Sequence, residues 1–191
     1  MKAATAPTLG AAVPRRPRSR PSAHARMETP PADAATARES HHGMRFGSDV
    51  HACFQQIDWC DGGARLPDSA AGRLVASLLE VGDIAEILTR PPGHVTLHRE
   101  QPVDAIMDRR WITGVVDRMH VHREAPGGRV TRVEIIDFKT DAVAEAAALI
   151  ERHAAQMRDY RTIAATLFPG AEITTTIVST ALRARIPVAC E

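Results

Sequence analysis

Val133-Glu134-Ile135-Ile136-Asp137-Phe138-Lys139 is the stretch on which the fold turns. Its β-branched residues read as a strand, and the strand ends in D-x-K. Side chains two apart on a strand share a face, so Asp137 and Lys139 project together while Phe138 faces the opposite layer. About twenty residues upstream a second apolar run delivers Gly114-Val115-Val116-Asp117. If the two strands pair, Asp117 joins Asp137 and Lys139. Two hard oxygen ligands beside an ammonium suit hydrolysis of a phosphodiester. A divalent cation polarises the phosphoryl oxygen and acidifies water, and the lysine positions or helps to deprotonate the nucleophile.

Around this centre the chain predicts an α/β domain. Val50, Phe54 and Ile57 fall at helical spacing, which puts His51 on a short helix from about Gly47 to Asp58. Residues 70–88 read as one or two helices broken near Gly82-Asp83, and Pro91-Pro92-Gly93 ends that region in a turn. Strands follow over 94–101, 103–107, 110–122 and 130–137, the last two joined by a hairpin at Arg123–Gly128. A helix from about Val143 to Leu167 carries Ala147, Ile150, Ala154, Met157 and Ala164 as its apolar stripe, with Gln156 and Tyr160 four apart on one face. Phe168-Pro169-Gly170 stops it, and 172–180 is a β-branched strand. The order is αβββαβ, with a mixed sheet flanked by helices.

Five motifs now stand in order: Gly47-Ser48-Asp49-Val50-His51, Arg99-Glu100-Gln101-Pro102-Val103, Gly114 to Arg118, Ile135 to Asp141, and Gln156 to Tyr160. As G-x-x-x-H, R-E-x-P, G-x-x-D-R, I-I-D-F-K-T-D and Q-x-x-x-Y, the series resembles the RecB/AddA-type nuclease domain of the PD-(D/E)XK superfamily. That domain is the C-terminal nuclease of UvrD-like helicase–nucleases that process double-strand DNA ends. The resemblance runs from about Gly47 to about Thr180 and implies the restriction-endonuclease-like αβββαβ core. It implies Asp117, Asp137, Lys139 and Glu100 as catalytic residues, Glu100 completing the acidic cluster. His51, Asp117, Asp137 and the Phe138 backbone carbonyl would hold Mg²⁺ or Mn²⁺. Gln156 and Tyr160 would line the substrate wall. It further implies exo- or endonucleolytic cutting of DNA, single-stranded as it passes the site, in repair or recombination. One departure is His153, where the family commonly has a tyrosine. Thr140 and Asp141 are expected to turn the chain and cap the next helix, and Asp137 is expected at a partly solvated strand end.

Composition sets the frame. The chain of 191 residues has room for one domain and a tail. Residues 1–42, rich in Ala, Pro, Arg and Ser without hydrophobic period, are expected to be a disordered tail or linker, and 43–191 the domain. Residues 1–40 hold seven Lys/Arg against three Asp/Glu, a net of +4, and the rest hold 17 against 20, a net of −3. That balance gives no broad basic surface, although Arg109, Arg110, Arg118, Arg158 and Arg161 can line a phosphate path. Three cysteines, Cys53, Cys60 and Cys190, make neither a disulfide framework nor the four-cysteine iron–sulfur site of some relatives, so no cluster is expected. The histidines, His120 and His122 included, match no structural zinc pattern, so zinc is not expected either. With no membrane-length apolar run and no secretory leader, a cytoplasmic protein is expected. No phosphate-loop motif is present, so a free-standing nuclease domain or a fragment of a longer gene is expected, with a helicase motor or partner subunit as its partner. The alternative is a non-catalytic DNA- or protein-binding remnant that keeps the nuclease fold.

Overall fold

The computed structural model of the chain describes residues 18–19, 34–107 and 109–189. The elements are β1 (Arg18–Ser19), α1 (Ala34–Gln55), α2 (Ala70–Leu78), α3 (Gly82–Leu88), β2 (His94–Met107), β3 (Arg110–Arg123), β4 (Val130–Lys139), α4 (Ala146–Leu167), β5 (Glu172–Ser179) and β6 (Ala184–Pro187). Most of the expected tail lies outside the described residues. Its last part, from Ala34, is the start of α1, well before the expected beginning near Gly47. Pro31 is the last proline before it, and the alanines that follow are strong helix formers. β1, which adds two parallel rungs to β3 at Trp111 and Ile112, also falls in that tail.

The six strands make one mixed sheet, running β2-β3-β4-β5-β6 with the short β1 also on β3. β2, β3 and β4 are antiparallel neighbours, β4 runs parallel to β5, and β6 returns antiparallel. α4 is the crossover between the two parallel strands, as such a connection requires. Alternation along β4 assigns its two faces. Val133 and Ile135 pack beneath α4 with Leu149, Met157 and Ile163. Ile136 and Phe138 pack under α1, α2 and α3, with Val50, Phe54, Val75 and Leu88. Phe138 stacks on Phe54 at 3.9 Å between ring centroids. The sheet therefore lies between two helical layers, each closing its own apolar core.

Two breaks in the sheet fall beside acidic residues. β2 and β3 pair in one register throughout, except that the rung of Glu100 opposite Asp117 is absent. Glu100 has a left-handed backbone, φ +47°. Val116 and Met119 on β3, three apart, nevertheless join the same core, so the pleat slips at the residues between them. The β3–β4 ladder stops at Arg118 opposite Ile136. Asp117 thus sits where β3 parts from both neighbours. Among the described residues no helix is long and apolar enough to cross a membrane.

Candidate active site

The strand separation opens main-chain groups to side chains. With its ladder partner gone, the Phe138 amide donates instead to Asp117 Oδ2 at 2.8 Å. On the other side of β4 the Lys139 carbonyl accepts from the Thr180 amide. Successive residues alternate their hydrogen-bonding edges, so the Phe138 carbonyl faces the Asp117 side with its amide. One strand end thus presents both a carboxylate and a peptide oxygen to the gap.

Helix α1 enters the gap from the opposite layer. A Cβ on Gly47 would lie 2.9 Å from Thr140 Oγ1, so glycine lets the helix approach the end of β4 without displacing that hydroxyl. One turn later His51 Nδ1 lies 3.4 Å from Asp117 Oδ2. The end of α1 is clamped by two arginines that face each other across β2 and β3. Arg99 donates to the Gln55 carbonyl at 2.5 Å and pairs with Asp58 at 2.6 Å. Arg118 donates to the Ile57 and Asp58 carbonyls at 2.8 and 2.6 Å. Each clamp adjoins an acidic residue of the site, Arg99 beside Glu100 and Arg118 beside Asp117. The expectation that Arg118 lines a phosphate path is therefore corrected: it is 1 % exposed and is committed to the helix end.

Ligand atoms of His51, Glu100 and Asp117 all lie within 4.8 Å of one another. Asp137 is not in that group. It is 1 % exposed rather than partly solvated, because Lys139, Gln156 and Tyr160 close over it on the α4 side. Lys139 Nζ approaches Asp137 Oδ2 to 2.5 Å as an ion pair. The approach is off line for a hydrogen bond, and that oxygen has no aligned donor among the described residues. Lys139 donates to Gln156 Oε1 at 3.0 Å, Gln156 donates to the Tyr160 hydroxyl at 3.2 Å, and Tyr160 donates to the Val115 carbonyl at 2.5 Å. Gln156 and Tyr160, expected at the substrate wall, are buried, and their hydrogen bonds hold Lys139 from behind.

The charges in this gap are short of cations. Burial first, and then the Asp117 charge, push the Glu100 carboxyl above its ordinary value. Burial likewise raises Asp137, against the opposing pull of Lys139. Burial alone would lower Lys139 and His51, but Asp137 and Asp117 respectively override it, and both bases are held above their ordinary values. Carboxylates that resist ionising and a donor set of oxygens with one imidazole fit a hard divalent cation.

Asp141 does not cap the following helix. α4 starts at Ala146 without a side-chain cap, and Asp141 instead takes Arg152 at 2.8 Å and His153 at 3.2 Å. The His153 contact first, with Arg152, holds its carboxyl well below the usual range against burial. The buried face of α4 includes His153, Gln156 and Tyr160, with Ala147 exposed. The helix is thus rotated from the all-apolar stripe read in the sequence, because these polar groups find partners at the strand ends. Their one sequence signal is the i, i+3, i+7 spacing.

Compared with protein-family models and with curated proteins, the chain matches none.

Proposed function

We propose that this chain is a metal-dependent DNA nuclease of the PD-(D/E)XK type, close in design to the RecB/AddA nuclease domain. The observation that carries the reading is the meeting of His51, Glu100 and Asp117, from three separate elements, within 4.8 Å and beside the Asp137–Lys139 pair. His51, Asp117, Asp137 and the Phe138 carbonyl would hold Mg²⁺ or Mn²⁺, with Glu100 beside them; the ion when bound would polarise a phosphoryl oxygen and lower the pKa of water.

The protein's own groups divide the remaining work. Lys139, whose pKa the Asp137 and Asp117 charges hold above its ordinary value, serves as a donor to the developing negative charge. Asp137 and Gln156 fix where that ammonium points. Glu100 accepts the proton as water oxygen bonds to phosphorus and the bond from phosphorus to the leaving sugar oxygen breaks. Gln156 and Tyr160 keep the lysine in place through a chain that ends on the Val115 carbonyl.

The test is cleavage of end-labelled single- and double-stranded DNA by the purified protein, with Mg²⁺, with Mn²⁺ and with chelator. Cutting that needs the metal is expected, with single strands preferred. Binding of DNA without cutting in either metal would replace this reading with that of a non-catalytic remnant.

A further inference from the structure

On the sheet face opposite Lys139, a cavity of about 380 Å³ opens between the end of α3 and strands β3, β4 and β6. Glu134 and Arg132 belong to the β4 face that carries Ile136 and Phe138, so the cavity shares no wall with the metal-ligand group. Arg90, Arg132 and Arg185 line it, with His120, Glu86 and Glu134.

The negative charge of Glu134 is already spent. Glu134 Oε2 receives His120 Nδ1 at 3.1 Å and His122 Nε2 at 2.9 Å, and Oε1 pairs with Arg132 at 2.8 Å. Arg118 donates to His120 Nε2 at 2.8 Å, which fixes the His120 proton on Nδ1 and adds a buried positive charge behind the wall. Glu86 is 76 % exposed and only 3.8 Å from Arg185, a weak pair. Arg185 Nε is buried and meets no acceptor among the described residues. The Arg90 amide donates to Asp61 Oδ1 at 2.9 Å, while its guanidinium makes no ion pair among them and lies 5.5 Å over the Trp59 ring. Two arginines therefore line the cavity without a strong carboxylate pair on either guanidinium, in a space the size of a small-ligand site. Guanidinium forks match phosphate oxygens in charge and in geometry.

We propose that this cavity is a phosphomonoester-binding site, taking the phosphate of a free nucleotide or of a 5′-phosphorylated strand end. Arg185 and Arg90 grip the phosphate. Arg132 and His120, held by Glu134, form the floor. The site stands independently of metal-dependent cleavage.

Trp59 reports on it, lying 4.9 Å from the His120 ring and 4.9 Å from the Arg118 guanidinium as well as beneath Arg90. In chelator, Trp59 emission of a Trp111→Phe variant is titrated with inorganic phosphate, dAMP, succinate, and oligothymidylate with and without a 5′-phosphate. Calorimetry on the unaltered chain repeats each titration. Saturable binding of phosphate and dAMP is expected, weakened about 10-fold or more by Arg185→Gln and by Arg90→Gln and unchanged in Asp117→Asn. Tighter binding of dAMP assigns the site to free nucleotides, and tighter binding of the phosphorylated oligomer assigns it to strand ends. The proposal is overturned by failure of phosphate and dAMP to bind in both measurements. Succinate binding equal to phosphate, or native affinity in both arginine variants, overturns it too. Because no metal is present, a failed phosphate site and a failed nuclease are told apart.

Discussion

Two clusters of carboxylate and histidine flank the same strand, and they are electrostatic opposites. At the open end of β4, His51 meets Glu100 and Asp117 beside the Asp137–Lys139 pair, and the carboxyls of Glu100 and Asp137 are pushed up. On the other face, three residues before Asp137, Glu134 meets His120, His122 and Arg132. Burial would raise Glu134, but hydrogen bonds from both histidines and the Arg132 charge bring it down to about 2. His120 is lowered by burial and by Arg118, although Glu134 pulls the other way. Residue types are shared, so the ratio of acids to bases decides: the first cluster is short of positive charge and the second is not. An excess of acids is what makes the first cluster the candidate for a hard cation.

The contrast is tested most severely by removing one charge from each side. Asp117→Asn keeps an oxygen for the Phe138 amide but loses the ligand charge, and single-turnover DNA cleavage should fall by about 10³-fold. Glu134→Gln should leave cleavage intact. Equal losses in the two variants would erase the distinction.

Glu134 should instead show itself in acid stability. Its folded-state pKa of about 2 lies below the ordinary 4.5. The unfolded chain therefore binds a proton before the folded one does. The stabilisation is complete above pH 4.5 and is lost as pH falls towards 2. It amounts to roughly 3 kcal/mol. Chemical denaturation across that range should show a flatter acid limb in Glu134→Gln than in the native chain. Parallel curves would mean that Glu134 is not held down by its partners.

Within the first cluster, Lys139→Arg preserves the positive charge beside Asp137, so the fold should survive. The guanidinium cannot reproduce the ammonium's position, and turnover should drop by about 10²-fold with no recovery on adding metal. His51→Ala should give the mildest loss, about 10-fold, and raised Mn²⁺ should restore part of it because a weakened ligand set is rescued by mass action. A metal titration of both variants decides the assignment. Rescue of the lysine variant alone would reverse the two roles.

The sequence carries what is local. Period-two alternation, the Gly-rich hairpin and the strand-terminal D-x-K locate β3, β4, Asp117, Asp137 and Lys139, because each depends on residues a few places apart. Partnerships across the chain leave no such trace. Arg118 reads as a surface arginine because its acceptors are the carbonyls of Ile57 and Asp58, some sixty residues away. Asp137 reads as partly solvated because the roof over it comes from α4. The polar face of α4 is invisible to a search for an apolar stripe, since His153, Gln156 and Tyr160 are buried by virtue of partners on other elements. β6 has no legible signal: four residues are too few for a pattern.

Glu100 has a consequence for durability. A non-glycine residue at φ +47° gives up roughly 1–2 kcal/mol relative to an unstrained backbone, and glycine at that position would recover much of it. Glu100→Gly should therefore melt at a higher temperature while losing the carboxylate that completes the cluster. Selecting this chain for heat resistance alone would favour glycine there and discard the carboxylate, so position 100 is where toughness and the proposed catalysis pull apart.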